Sequence, residues 1–227
     1  MIPATMMEKQ EQRGKEKEVR NRFVAYLLSL GGYEWDAKTI SWVWHQERIK
    51  RGALADLRTG LLVKELGKMT RVHKYVQGYL PEKGFDERWY YIIATLFGSF
   101  PQHREEWRDL PSGKRMRVRT LGKAFKPLAF PPGEKKKESM EARFVALLNA
   151  HSDDLDDHLR HAVSLLKANE QPLDWFRLLE DLLQWNHPEG HVQLKWARDF
   201  YKINNSRGDD TSQSSTTSEN KGEKYHE

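Results

Sequence analysis

Apolar residues recur three and four positions apart along most of the chain. Val19, Phe23, Tyr26, Leu27 and Leu30 share one helical face, and Gly31–Gly32 ends that run. Asp36 is a plausible N-cap for a second helix carrying Ile40, Val43 and Trp44. Further helical stripes pass through Leu54, Leu57 and Leu61, through Val72–Leu80, and from Asp86 to about Phe100, with Pro81 and Pro101 as breaks. The last third is the most regular. Met140, Phe144, Leu147 and Leu148 form one stripe, and Leu155, Leu159, Val163 and Leu166 form the next. Asp174 caps a third helix burying Trp175, Leu178, Leu179 and Leu182, and Val192, Trp196, Phe200 and Ile203 mark a fourth. No series of alternating strands occurs, so the expected class is all-α.

The stretch Pro101–Glu138 departs from this pattern. It holds Pro101, Pro111, Pro127, Pro131 and Pro132, with one short helix expected around Leu121–Phe125. The chain therefore divides into two small helical bundles, residues 18–100 and 139–203, joined by a proline-rich connection over 101–138. Met1–Lys17 is charged and aperiodic, and Asn204–Glu227 is rich in Ser, Thr, Asn and Gly. Both ends are expected to be disordered, the first a lead-in and the second a tail.

Composition sharpens this outline. All 8 Trp and 9 Phe lie between the two polar ends, so a core belongs there. There are no cysteines, which excludes disulfide scaffolds, thiol nucleophiles and thiolate zinc sites. The N-terminal EKQEQRGKEKE is the opposite of a signal peptide, and no apolar run approaches ~18 residues. A soluble cytoplasmic protein with no membrane partner is expected. The net charge of +5 is modest, but from Pro111 to Lys137 nine Lys or Arg face one acid, Glu134. Such a local excess fits a polyanionic partner.

Within that run, Arg115, Arg117 and Arg119 alternate with Met116 and Val118. Extended backbone would put the three guanidinium groups on one side, where they could track phosphates and stack on bases. The plainer alternative is a solvated basic loop. Lys195, Arg198 and Lys202 stand opposite the apolar face of the last helix and could lie along a phosphate backbone, or simply be its solvent face. His187 and His191 flank Glu189, but Pro188 and Gly190 break the helix that would align them, so no metal site is expected. His151, His158 and His161 bracket another helix start. Asp153, Asp154, Asp156 and Asp157 sit on a capping turn begun by Ser152, where acids favour the helix N-terminus. No phosphate-cradling glycine loop, nucleophile motif or paired-carboxylate motif is present, so neither an active site nor a cofactor is expected.

The ordered set of segments in the C-terminal third resembles the CasB family, the small subunits of the type I-E CRISPR Cascade complex. The run Glu141–Tyr201 carries an Arg–Phe pair before an LL helix, an LR helix, PLDW, a helix ending in Trp, and a closing KWARDFY. TLGKAF (Thr120–Phe125) and GALADLR (Gly52–Arg58) match earlier family elements, so the likeness spans about Phe23 to Lys202 and is strongest at its end. The resemblance implies a non-catalytic helical subunit that helps hold guide RNA and the displaced strand of target DNA. It would work beside RNA-coating backbone subunits, the large subunit and a second copy of itself.

Carried over residue by residue, the resemblance puts nucleic-acid contacts at Arg58, Arg88, Arg143 and Arg160, with Arg115–Arg119 and Lys123 in a cationic loop. Arg143 also reads as a salt-bridge partner at a helix start. Asn149 and His191 stand where the family is usually basic, and Lys195 and Arg198 are candidates to compensate. The expectation is one continuous strip in which Arg115, Arg117, Arg119 and Lys123 join Arg58, Arg143 or Arg160. Two rival readings are a metal-dependent nuclease, which needs a convergent carboxylate and histidine cluster, and a helical adaptor touching only protein. A DNA-binding regulator would need a helix-turn-helix, and no convincing one is found.

Overall fold

The charged N-terminal stretch is built from Glu, Lys, Gln and Arg, all good helix formers. The computed structural model describes residues 4–60, 70–81 and 86–202, and in it helix α1 runs unbroken over Ala4–Leu30. The expected disordered lead-in is therefore corrected from Ala4 onward. Pairs one turn apart supply the reason: Lys15 lies 2.8 Å from Glu11, and such i,i+4 pairs support an exposed helix without any apolar face. The second half of α1 buries Phe23, Val24, Leu27 and Leu28.

The helix expected after Asp36 is a hairpin instead. Strands β1 (Tyr33–Asp36) and β2 (Ser41–Trp44) pair antiparallel, with Tyr33 opposite Trp44 and Trp35 opposite Trp42. Aromatic residues two apart are strand chemistry, and cross-strand aromatic pairs reinforce it. Asp36 caps the turn rather than a helix. Its carboxylate accepts the Lys38 N–H and the Thr39 hydroxyl, each at 2.8 Å.

Helices α2 (Arg51–Thr59), α3 (Thr70–Val76) and α4 (Glu87–Ser99) follow; Leu61 lies outside the described residues. Helix α4 is buried continuously from Trp89 to Gly98. The Phe97 ring at its end meets Trp175 at 5.5 Å, edge to face. Through such contacts the N- and C-terminal helices share one buried cluster reaching from Phe23 to Phe200.

The proline-rich connection is more ordered than its composition suggests. Strands β3 (Trp107–Asp109) and β4 (Arg115–Arg117) form a second hairpin, with Gly113 at φ 74 in its turn. Helix α5 (Leu121–Ala129) then begins at Thr120, whose hydroxyl oxygen accepts the Lys123 N–H. It continues past Pro127, where the short helix was expected to end by Phe125. Burial of Leu128 and Ala129 offsets the hydrogen bond that proline cannot donate.

Helices α6 (Glu138–Leu148), α7 (Leu155–Ala168), α8 (Trp175–Leu182) and α9 (His191–Tyr201) match the four apolar stripes. Asp174 caps α8 as expected, accepting the Arg177 N–H at 3.1 Å, whereas Asp154 rather than Ser152 precedes α7. Ile203 and the tail lie outside the described residues. Strand content among the described residues is confined to the two hairpins and an isolated bridge, so the all-α expectation holds. None of the described helices is long and apolar enough to cross a membrane.

Helices α5 and α9 touch backbone to side-chain position at Gly122, where a Cβ would lie 2.1 Å from the Trp196 carbonyl oxygen. Gly122→Ala must push the helices apart. It is expected to cost about 2–3 kcal/mol and lower Tm by roughly 5–10 °C. Thermal unfolding followed by circular dichroism checks this, and an unchanged midpoint would contradict the close approach.

Candidate nucleic-acid interface

A groove of about 680 Å³ opens between the β3–β4 hairpin, α5 and α9. Arg104 and Arg108 enter it from the hairpin side, Arg119 from just before α5, Lys123 and Lys126 from along α5, and Lys195 and Lys202 from α9 and its C-terminal end. Glu106 and Asp199 are the two acids in its wall. On α9, positions 195, 199 and 202 fall on one face because they are spaced i, i+4 and i+7. Trp107, Val118 and Phe130 contribute apolar surface.

The cations divide into two groups. The inner ones are held by the protein itself. Glu106 accepts from both Arg119 and Lys123, Arg119 Nε donates to the Pro172 carbonyl at 2.9 Å, and Lys126 Nζ donates to the Lys202 carbonyl. Burial pushes the Glu106 carboxyl up, but its bonds from Lys123 and Arg119 outweigh that and hold it below the usual carboxylate range. Lys195 sits 3.7 Å from Asp199, which also accepts the Thr120 hydroxyl at 2.7 Å. The outer group is Arg104, Arg108 and Lys202. All three are exposed, and their side chains have no hydrogen-bond or ion-pair partner among the described residues.

Of the residues singled out in the sequence, the groove gathers Arg119, Lys123, Lys195 and Lys202. The expected open face of three arginines is corrected. Arg115 is exposed, over the Trp107 ring and 3.6 Å from Asp109. Arg117 lies on the same side of β4, but that side packs against the body. Its side chain is 16% exposed, 2.8 Å from Glu105 and 3.6 Å from Asp174, with the Trp107 and Phe176 rings at 4.4 and 4.1 Å. Arg119 is 7% exposed. Replacing all three with Glu would therefore disrupt the fold, because buried charge needs its partners.

The remaining candidates lie outside the groove. Arg58 Nε donates to the Gly98 carbonyl at 2.7 Å. Arg88 donates to the Asp153 carbonyl and to Asp156, and Arg160 pairs with Asp156 and Asp157. Arg143 and Arg198 are exposed on α6 and α9. Arg104 and Arg108 were missed. Each is an isolated base in the sequence, and only the alternation of Arg108 with Trp107 beside a Pro-Ser-Gly turn hinted at a strand. Pro188 and Gly190 do interrupt the helix, yet the turn they make returns His191 to His187 with ring centroids 4.4 Å apart. The expected helix break is therefore present, but it does not keep the two histidines apart.

Comparison with known proteins gives this architecture a family. The family model described as CRISPR-associated protein Cse2 matches residues 53–201. The chain belongs to the Cse2 family. A Cse2 relative from Thermus thermophilus is 33% identical over 138 residues, which cover 60% of this chain and 70% of the relative. The crystal structure of CasB from Thermus thermophilus aligns with a TM-score of 0.58 at 30% identity, over 81% of this chain and 98% of that one. A chain from a CRISPR RNA-guided surveillance complex shares the fold, with a TM-score of 0.58 at 24% identity and coverage of 82% and 92%. The resemblance read from PLDW and TLGKAF therefore holds.

In this Cse2-family chain a second, largely buried charged cluster lies beside β4. His103, Glu105, Arg117 and Asp174 converge there, all with side chains 16% exposed or less. Burial pushes Glu105 up, but the nearby His103 imidazole and the charge of Arg117 outweigh it, leaving the carboxyl below its usual range. At Asp174 burial wins: His103 and Arg117 offset it only in part, and the carboxyl is pushed up from 3.8 to about 6.

Arg117→Ala leaves Glu105 and Asp174 buried without their cation. A loss of about 3–5 kcal/mol is expected in denaturant unfolding, against less than about 1 kcal/mol for the exposed Arg115→Ala. Equal effects would contradict the burial of Arg117. The raised carboxyl gives a pH test. Because Asp174 holds its proton more tightly folded than unfolded, its favourable contribution is complete below its ordinary value of 3.8 and lost as pH rises through about 6. Asp174→Asn keeps a competent cap and removes the titration. Its stability relative to the wild type should rise between pH 4 and pH 7, measured by urea unfolding. A pH-independent difference would contradict the shift.

Proposed function

We propose that this Cse2-family chain is the non-catalytic small subunit of a type I-E Cascade complex, and that its groove carries the sugar-phosphate backbone of a nucleic-acid strand. The strand is guide RNA or the displaced strand of target DNA. One observation carries the reading: seven cations from three segments line a single groove, and Arg104, Arg108 and Lys202 are exposed at it without protein partners among the described residues. A strand backbone is a line of charge, so only a contiguous set of cations follows several phosphates. Trp107 and Phe130 offer sequence-tolerant ring contacts beside them.

In this role the groove stabilises an opened duplex rather than reading its sequence. Exchange of a DNA duplex for an RNA–DNA duplex is nearly balanced, so protein contacts to backbone and free strand can tip it. The partners are guide RNA, target DNA, the RNA-coating backbone subunits, the large subunit and a second copy of the chain, all in the cytoplasm. The nuclease alternative draws no support from the acids at the start of α7, where Asp153 and Asp156 are engaged by Arg88.

The test uses the chain co-expressed with the rest of its complex. Wild type should co-purify with a short repeat-derived RNA. Arg104→Glu, Arg108→Glu and Lys202→Glu together should leave folding and assembly intact, because exposed unpaired charges add little to stability. Target-DNA capture should weaken tenfold or more, and the slope of log affinity against log salt should fall by about 0.7–0.9 for each phosphate no longer neutralised. Arg143→Glu, outside the groove, should change neither. Wild-type capture and salt slope in the assembled triple variant would overturn the groove reading.

A further inference from the structure

The turn between α8 and α9 gathers three metal-ligating side chains that the groove does not use. His187, Glu189 and His191 each offer one ligand atom, and these atoms lie within 4.8 Å of one another. Two donors of a tetrahedral zinc site are about 3.3 Å apart, so up to about 1.5 Å of movement closes the set. His187 and Glu189 are exposed and His191 is half-buried, so rotamer adjustment can supply that movement.

The surroundings already orient the ligands. His191 Nε2 lies 2.9 Å from Gln184 Oε1. With Nε2–H donating to that amide oxygen, Nδ1 keeps the lone pair a metal needs, the outer-shell arrangement usual for ligating histidines. At His187, Nδ1 accepts the Glu189 N–H at 3.3 Å, a long bond that yields when that nitrogen turns to an ion. The Gly190 N–H donates to the His187 carbonyl at 2.9 Å. Gly190 itself takes φ 57, the left-handed conformation that reverses the chain and brings His191 back beside His187. Glu189 makes no ion pair with a lysine or arginine among the described residues.

We propose that His187, Glu189 and His191 bind one divalent transition-metal ion of the zinc or nickel class. Two imidazoles and one carboxylate suit such borderline ions and not the oxygen-seeking magnesium or calcium. Three protein ligands leave a further position for water. An ion here clamps the α8–α9 turn at the end of α9 opposite Lys202, and it is independent of the nucleic-acid role.

The experiment titrates zinc chloride into the untagged full-length protein by calorimetry and records the absorption of the cobalt form. Wild type should bind one equivalent saturably. At a free zinc concentration of roughly 100 times Kd, Tm should rise by about 5–10 °C. His187→Gln and His191→Gln should each weaken binding at least tenfold, and the isosteric, exposed Glu189→Gln tests the carboxylate even if a histidine variant misfolds. Gln184→Ala should weaken binding roughly tenfold by removing the outer-shell bond. His151→Gln, at another exposed histidine, should match wild type. Absence of saturable binding, or one equivalent bound with wild-type affinity in the His187→Gln/His191→Gln or Glu189→Gln protein, overturns the proposal.

Discussion

Arg117 sits between the rings of Trp107 and Phe176 with Glu105 and Asp174 as its carboxylate partners. A guanidinium in that position has few alternatives. Stripped of its carboxylates it would be a buried charge costing several kcal/mol, so the β3–β4 hairpin has one seat on α8. That seat fixes the path of the next segment. Two residues on, Arg119 reaches the Pro172 carbonyl and Glu106. At Thr120 the chain turns into α5, and the Thr120 hydroxyl meets Asp199 of α9. Gly122 then lets α5 lie directly against Trp196. The hairpin, α5 and α9 thus form three walls whose spacing descends from one buried ion cluster.

The same cluster sorts the basic residues by task. Cations drawn into the walls are paired with Glu105, Glu106, Asp174 and Asp199, or in the case of Lys126 with a backbone carbonyl, and work as structure. Those left at the rim, Arg104, Arg108 and Lys202, are exposed and keep their charge for a mobile polyanion. A partner met by rim charges is bound through counterion release, which makes the interaction salt-sensitive and indifferent to sequence. Those are the properties needed by a subunit that holds a strand whose sequence another molecule reads.

Helix α9 connects this groove with the histidine turn. It presents Lys195 and, just past its end, Lys202 to the groove, and its first residue, His191, belongs to the turn made by Pro188 and Gly190. Between them Trp196 donates its indole N–H to the buried Asp181 at 2.6 Å. This anchor fixes the rotation of α9 and hence which of its cations face the groove: Lys195, Asp199 and Lys202 line it, and Arg198 does not.

Local chemistry made much of this legible in the chain alone. The four C-terminal helices follow from apolar residues at period 3.6, the start of α8 from Asp174, and the family from an ordered set of short segments that needs no coordinates. The misreadings share one cause. Ile40, Val43 and Trp44 fit a helical spacing, but Tyr33, Trp35, Trp42 and Trp44 fit a strand spacing as well, and only packing against Phe176 and the body chose between them. A run of charges such as Met1–Lys17 carries helix propensity without periodicity, so pattern alone missed it. Most of all, a sequence counts arginines without saying which are buried. Arg115, Arg117 and Arg119 are equivalent as letters, yet burial and carboxylates from residues 105, 106 and 174 turned two of them into structural ions. Arg104 and Arg108, unremarkable in the sequence, were left exposed. Charge type and amount are local properties of the chain. Whether a charge is paired or free depends on groups far away in sequence, and that was decided only when the tertiary fold brought them within a few ångströms.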